Sequence, residues 1–394
     1  MRRFIYFFIL LLLLACGKED PITPDLPEAP ENPELPDTTG VLSQVPKFRR
    51  DLLSKGVNLG HWYAQATIDE SHLRGRFSPQ DFDFIQKSGF KHIRLSVSEE
   101  VFFNEQQPAQ LHTQYQEVLE EHLNALIDRQ IGVIFDLHPT DGFKEKVHYE
   151  PGFADKVSIF WGAMAAHLRK YDPNYLYLEV MNEPWAEDPT AWYAEQAKWA
   201  AEIRENAPNH TIIVDGNLQV KKDDWDDVRA FLLMEPLKDK NIVYNLHFYQ
   251  PMQFTHQGAV WGWHVLPHIS GLEYPTNASN ANKIKEGAPD NIELGWAMDN
   301  YVNDNWGRGK ISEVVAQIGD WSKRYSVPVT VNEFGVYNYV TPENSRKLYM
   351  KDVRTLLEAN DLGWSVWEYD KGFQVVDRSS GIQFLPEMKE VLGF

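Results

Sequence analysis

The chain has 394 residues, 43% of them hydrophobic and 24% charged, with a formal charge of −19. That length suffices for the core of one large domain or two small ones, and the acidic balance argues against a nucleic-acid partner, which needs a basic surface to neutralise phosphates. The single cysteine, Cys16, excludes an intramolecular disulfide and any zinc or iron–sulfur site built from thiolates.

Met1-Arg2-Arg3 is a short positive segment, followed by an apolar run from Phe4 to Ala15. That run is too short for a stable membrane span and has the form of a signal-peptide core. It ends in Leu13-Leu14-Ala15-Cys16, which resembles the bacterial lipobox that is cleaved before an acylated cysteine. On this reading residues 1–15 are a lipoprotein signal peptide, Cys16 is the lipidation site, and the membrane is a partner through that anchor. The expected location is the outer membrane of a Gram-negative-type bacterium, on its periplasmic or its outer face. The alternative is an ordinary secretory signal with a stray cysteine. Residues 16–45 then read as a linker, because Pro21, Pro24, Pro27, Pro30, Pro33 and Pro36 recur every third residue among Asp and Glu. Polyproline II has three residues per turn, so these prolines share one edge of an extended, self-repelling stalk. Folding is expected over residues 46–394.

The body alternates strand-like runs with helical patterns. The runs are Gly56–Gly60, His92–Val97, Gly132–His138, Tyr177–Glu183, Thr211–Asp215, Ile242–Tyr249, Pro328–Glu333 and Trp364–Tyr369. Between them lie segments such as Gln114–Arg129 and Asp155–Lys170 with apolar residues at helical spacing. Parallel strands joined by helical crossovers are implied, and eight of them in one domain favour a (β/α)8 TIM barrel over an open sheet. An open doubly wound sheet would carry a glycine-rich phosphate turn after its first strand, and Gly56-Val-Asn-Leu-Gly-His-Trp62 is not one. In most runs the apolar residues come first and the reactive ones last, as in Asp136-Leu-His138, Asn182-Glu183, His247-Phe-Tyr249 and Asn332-Glu333. Barrel active sites lie at the carboxyl ends of the strands, so these side chains converge on one mouth.

Two carboxyls suffice to cleave a glycosidic bond: one protonates the leaving oxygen, and the other attacks the anomeric carbon or activates water. Glu183 and Glu333, at the ends of the fourth and seventh runs, can face each other across the mouth. A separation of about 5–5.5 Å would mean retention of configuration, and roughly 6.5–9.5 Å inversion. A lone strand-end Glu, Arg or His is more often a structural polar group; the joint pattern favours catalysis.

The stretches His-Ile-Arg94-Leu-Ser, Asp-Leu-His138, Leu-Glu-Val-Met-Asn182-Glu183-Pro, His247-Phe-Tyr249, Val-Asn-Glu333-Phe-Gly and Trp-Ser-Val-Trp367-Glu-Tyr together resemble glycoside hydrolase family 5. The resemblance spans about Gly56 to Tyr369. It implies Glu183 as acid/base, Glu333 as nucleophile, and Arg94, His138, Asn182, His247, Tyr249 and Trp367 as the surrounding substrate-binding set. Arg94 would favour the charged form of Glu333 and fix its geometry. Tyr249 would donate to the nucleophile, Asn182 would hold the sugar 2-hydroxyl, the two histidines would line the subsite, and Trp367 would floor it. An acid role for Glu183 calls for a carboxyl pKa raised by its surroundings.

The implied partner is a β-linked polysaccharide or oligosaccharide, with β-1,4-glucan cut internally as the default and β-mannan or another β-glycan as alternatives. A tethered glycan-binding barrel without turnover is the rival class, and intact Glu183 and Glu333 argue against it. No cofactor is called for, and no metal motif such as His-Glu-x-x-His occurs. Pro251 to Gly309 reads as a long irregular loop holding Trp261, Trp263, His264, Trp296 and Trp306, a candidate substrate wall or a loop packing its own aromatics. Gly60-His61-Trp62-Tyr63, after the first run, is a second candidate wall.

Overall fold

The computed structural model describes residues 43–394. The signal peptide, Cys16 and most of the linker expected above lie outside the described residues. Eight parallel strands close into a barrel: β1 Gly56–Asn58, β2 His92–Val97, β3 Gly132–Leu137, β4 Leu176–Glu179, β5 Thr211–Asp215, β6 Ile242–Phe248, β7 Val329–Phe334 and β8 Gly363–Val366. Each pairs in parallel with the next, and β8 closes on β1 with Gly56 opposite Ser365. Helices cover the outside, which makes this the expected (β/α)8 barrel.

Local chemistry sets the helix boundaries. Ser78 and Asp81 form a reciprocal capping box, Pro79 opens the helix Pro79–Ser88, and Gly89 ends it at a left-handed φ of 106°. Pro189 opens the longer helix Pro189–Asn206 behind Asp188, whose carboxylate accepts from the Thr190 amide. Side chains alternate along each strand, so one set faces the helices and the other the barrel interior. In β3, Val133, Phe135 and Leu137 join the large outer core with Val157, Phe160, Trp161 and Met164 of the helix Phe153–Leu168. The alternate residue Ile134 belongs to a separate inner cluster with Val45, Leu53, Tyr177, Ile213 and Val243, which fills the floor of the barrel. Arg49, on the helix Lys47–Leu52, is buried there, donating to the Asn209 carbonyl at 2.7 Å and to Thr211 Oγ1 at 3.1 Å.

Two expectations change. The stretch after β6 is folded, with helices at Met252–Thr255, Ala278–Glu286 and Ile292–Asp304 and a short 3-10 turn at Leu266–His268. Its many Gly and Asn residues sit at helix caps and turns, as where Asn277 and Asn291 cap the two longer helices. Trp306 is buried as packing, whereas Trp261 and Trp296 are exposed. Trp62 and Tyr63 are fully buried and cannot wall a cleft; Trp62 Nε1 donates to the Leu73 carbonyl instead.

Candidate active site

One step up from the barrel floor, the inward positions turn polar. Asn58, Arg94, Asp136, Glu179, Asp215, Asn245 and Asn332 are all buried there. Arg94 is the hub. Its Nε and one terminal nitrogen clasp Glu179 at 3.0 and 2.6 Å, and the same terminal nitrogen reaches Asn182 Oδ1 at 2.9 Å and Asp136 at 2.9 Å. The other donates to Glu333 Oε1 at 2.6 Å and to Asn58 at 3.2 Å. The planar fork of guanidinium donors suits this task as an ammonium would not. One cation cannot balance so many acids, and protonation relieves the excess. Burial pushes Asp136 up to about 6 against the pull of Arg94. Asp215 is held well above the usual carboxylate range by burial and by the neighbouring Glu179 charge.

Above this layer the expected set comes together. Glu333, inside β7, receives Arg94 on one oxygen and the Tyr249 hydroxyl at 2.9 Å on the other. Glu183 reaches the mouth by a different route, because β4 ends at Glu179, four residues before it. The intervening chain is tied by the Asn182 amide to the Leu137 carbonyl at 2.8 Å, and Glu183 takes a left-handed φ of 48°. That conformation costs a residue with a Cβ about 1–2 kcal/mol, and here it turns the carboxyl toward Glu333. His247 lies between the two acids, its Nδ1 2.8 Å from Glu183 Oε1 and 3.5 Å from Glu333 Oε2. One oxygen of each acid and one ring nitrogen of His247 all fall within 4.8 Å of one another. Among the described residues this trio is the one cluster with the spacing of cation ligands, and its contacts are those of a pair of carboxylates sharing a histidine proton.

The electrostatics depart from expectation at Glu183. Burial raises its pKa, but the His247 hydrogen bond and charge, with Lys144 beyond, outweigh burial and hold it below the usual range. His247 is raised in turn: burial pulls it down, and Glu333 and Glu183 overcome that pull. His138 is the opposite case. Burial, then Arg94, pushes it down to about 3, so the ring is neutral. Its Nδ1 bonds Asp136 at 2.8 Å, and its ring stacks on Trp367 with centroids 5.9 Å apart and planes at 10°. Trp367 follows β8 directly and is 7% exposed.

The structure thus brings together all eight body residues expected from the sequence. Sequence reasoning missed Glu179, Asp215, Asn58, Asn245 and Asn332, which orient the set from below. Asn332 donates to Glu179 at 2.7 Å, and Asn245 to Asp215 at 2.6 Å. For two of them a signal was available, since Glu179 stands four residues before Glu183 and Asn245 two before His247 on the same inward face; Asn332 adjoins Glu333, and no expected site residue follows Asn58 or Asp215 at such spacing.

A parallel barrel with paired carboxylates at the carboxyl ends of β4 and β7 defines a glycoside-hydrolase-type protein. Residues 56–372 match the cellulase model of glycosyl hydrolase family 5. The chain belongs to that family. Endoglucanase 3 of Fibrobacter succinogenes is 23% identical over 350 residues, covering 84% of this chain and 52% of that protein, so the chain spans about half the length of that relative. Endoglucanase C of Acetivibrio thermocellus is 24% identical over 325 residues, covering 80% of this chain and 91% of that protein. Among solved structures, an endoglucanase of the hyperthermophilic Thermotoga maritima superposes with a TM-score of 0.70 at 22% identity, over 88% of this chain and all of that one.

Proposed function

We propose that this chain is a retaining, endo-acting β-1,4-glucanase in which Glu183 is the acid/base and Glu333 the nucleophile. The observation that carries the reading is the spacing of the two acids: one oxygen of each lies within 4.8 Å of the other, on the retaining side of the two ranges. The polysaccharide is drawn from the endoglucanases among the relatives.

In the first step Glu333 attacks the anomeric carbon while the glycosidic C–O bond breaks, and the leaving oxygen takes its proton from Glu183. Arg94 and Tyr249 hold both Glu333 oxygens, which fixes the line of attack. A proton passes from His247 Nδ1 to Glu183 along their 2.8 Å hydrogen bond once bound sugar displaces water and disfavours the separated charges. Asn182 has its carbonyl oxygen committed to Arg94, so its amide hydrogens are free for the sugar 2-hydroxyl. In the second step water gives a proton to Glu183, its oxygen bonds the anomeric carbon, and the ester bond to Glu333 breaks. Trp367, stacked on neutral His138, supplies an apolar floor for the ring.

The test is hydrolysis of soluble β-glucans, β-mannans and xylans by the chain beside Glu333→Ala. Cleavage of β-1,4-glucan to oligosaccharides, lost on the order of 10⁴-fold or more in the variant, is expected. Activity on mannan or xylan alone would replace the substrate, and equal activity in the variant would remove the nucleophile.

Lipid anchoring at Cys16 belongs to the same proposal, supported by Leu13-Leu14-Ala15-Cys16 and the proline stalk. The body, residues 46–394, would then work at the end of that stalk on an outer-membrane surface. Labelled palmitate should enter the full chain expressed in a bacterium and not Cys16→Ser; label in both would rule the anchor out.

A further inference from the structure

Next to the paired acids, the ends of β5 and β6 border a cavity of about 10 Å³, the space of roughly one water molecule. The polar side chains on its lining are Glu183, Asp215, Asp227, Asn245 and His247. Asn245 and Asp215 have their partners within the polar layer: Asn245 gives its amide to Asp215 Oδ1 at 2.6 Å, and Asp215 Oδ2 takes the Met181 amide at 3.4 Å. His247 is different. Its Nδ1 is held by Glu183 at 2.8 Å, while its Nε2 is buried without a hydrogen-bond partner among the described residues.

A ring nitrogen at this depth costs a hydrogen bond unless water or a polar side chain meets it, and an imidazolium needs an acceptor at both nitrogens. Asp227 is the acceptor on this lining. It opens the helix Asp227–Phe231, and its Oδ1 takes Gln250 Nε2 at 3.0 Å and the Val228 amide at 2.9 Å. Its Oδ2 has no hydrogen bond among the described residues. A buried water bonds about three polar groups, and His247, Asp227 and Asp215 supply that number. The charges around His247 are Glu333 on β7, Glu183 after β4, Arg94 on β2 and Asp136 on β3. Around Asp227 they are Asp226 and His247, with Tyr349 held neutral by burial. Burial, then the Asp226 charge, raises Asp227 to about 7, so its charge develops in the range where histidines give up their proton.

We propose that the cavity is a site for one water molecule, which accepts from His247 Nε2–H and donates to Asp227, and that Asp227 is thereby a positioning residue for the catalytic proton. An anion facing the imidazolium favours its charged form. Asp227 therefore keeps the proton on the His247–Glu183 pair as pH rises, and removing its charge lets that proton leave at lower pH. The inference rests on the acid/base reading of Glu183 and adds a carboxylate, from the helix after β5, to the group that holds its proton.

The experiment follows kcat/KM of the full chain and of Asp227→Asn against pH on two substrates. Cellopentaose loses a sugar alcohol and needs the proton of Glu183, whereas 2,4-dinitrophenyl β-cellobioside releases a phenolate that does not. The asparagine can still accept from Gln250 and Val228, and it lacks the charge. Its alkaline limb on cellopentaose is expected about half a unit to one unit below that of the unmodified chain, with the limb on the dinitrophenyl substrate unmoved. A crystal structure of the unmodified chain should show one water within hydrogen-bond distance of both His247 Nε2 and Asp227. An unmoved limb on cellopentaose, equal movement on both substrates, or no water at that position would overturn the assignment. If the unmodified chain itself has the same alkaline limb on both substrates, Glu183 does not deliver the proton, and the inference falls with that reading.

Discussion

Glu368 follows Trp367 and is 2% exposed, with one carboxylate oxygen buried and without a hydrogen-bond partner. His61 stands 3.6 Å away, and the charges acting on it are Asp370, Arg76 and Glu333. Burial, then the Asp370 charge, raises its pKa from 4.5 to about 8. A carboxyl raised in the folded state contributes fully below its unfolded pKa, and that contribution is lost as pH rises through the folded value. The stability loss therefore runs between about pH 4.5 and 8. Glu368→Gln removes the ionisation. The variant should match the parent near pH 4.5 and be more stable by about 1–3 kcal/mol above pH 8, as read from urea midpoints at each pH. Parallel pH profiles for the two proteins would contradict the buried, uncompensated carboxyl. At this same scale Glu183 and Glu333, the acids proposed as catalytic, stood out in the sequence because each ends an apolar run. Glu368 was not, since nothing in Trp-Glu-Tyr says which way its carboxyl points. The protonation of Glu183 was also hidden: it depends on a histidine from β6 lying 2.8 Å away, and no local pattern carries that distance.

At the scale of elements, the ends of β7 and β8 carry Glu333 and Trp367, and Gly335 is the joint between them. A Cβ there would lie 2.1 Å from the Trp367 carbonyl oxygen, which is backbone and cannot swing aside. Gly335→Ala should therefore destabilise by about 1–3 kcal/mol and lower kcat by displacing Trp367 relative to Glu333; an unchanged urea midpoint would show that the joint is loose. Six of the eight runs predicted the strands to within two residues because β-branched stretches leave little alternative, and the eighth ran three residues past Val366. The fourth overran, since Val180 and Met181 continue the apolar pattern after β4 has ended at Glu179. Leaving the strand there allows Glu183 its left-handed turn. The helices of the segment from Pro251 to Gly309 escaped the sequence reading for another reason. Met252–Thr255 is a single turn and Ala278–Glu286 is mostly polar; Ile292–Asp304 does bury Leu294, Ala297, Met298 and Tyr301 at helical spacing, but its exposed Trp296 and the surrounding Gly and Asn residues read as a loop.

Across the whole molecule, the barrel is apolar at its floor, charged in its middle and open at its mouth. The middle layer is held by hydrogen bonds that span the interior, Arg94 to Glu179, Asn332 to Glu179 and Asn245 to Asp215. Isolated charges at such depth would be costly, so the network is an all-or-none device that fixes the rotamers above it. The barrel and the family were legible because strand count and the order of reactive residues are properties of the whole chain. The cleft beside Glu183 was not, because it is assembled from three loops whose aromatics, Tyr149, Trp185 and Trp225, are far apart in sequence. What the assembled mouth does hinges on one distance, that between Glu183 and Glu333. Proton NMR of the first product released from a cello-oligosaccharide tests its consequence directly. Retention requires the β-anomer to appear first and the α-anomer to grow only by mutarotation. An α-anomer formed first would mean that water attacks directly and that Glu333 forms no covalent bond with the sugar.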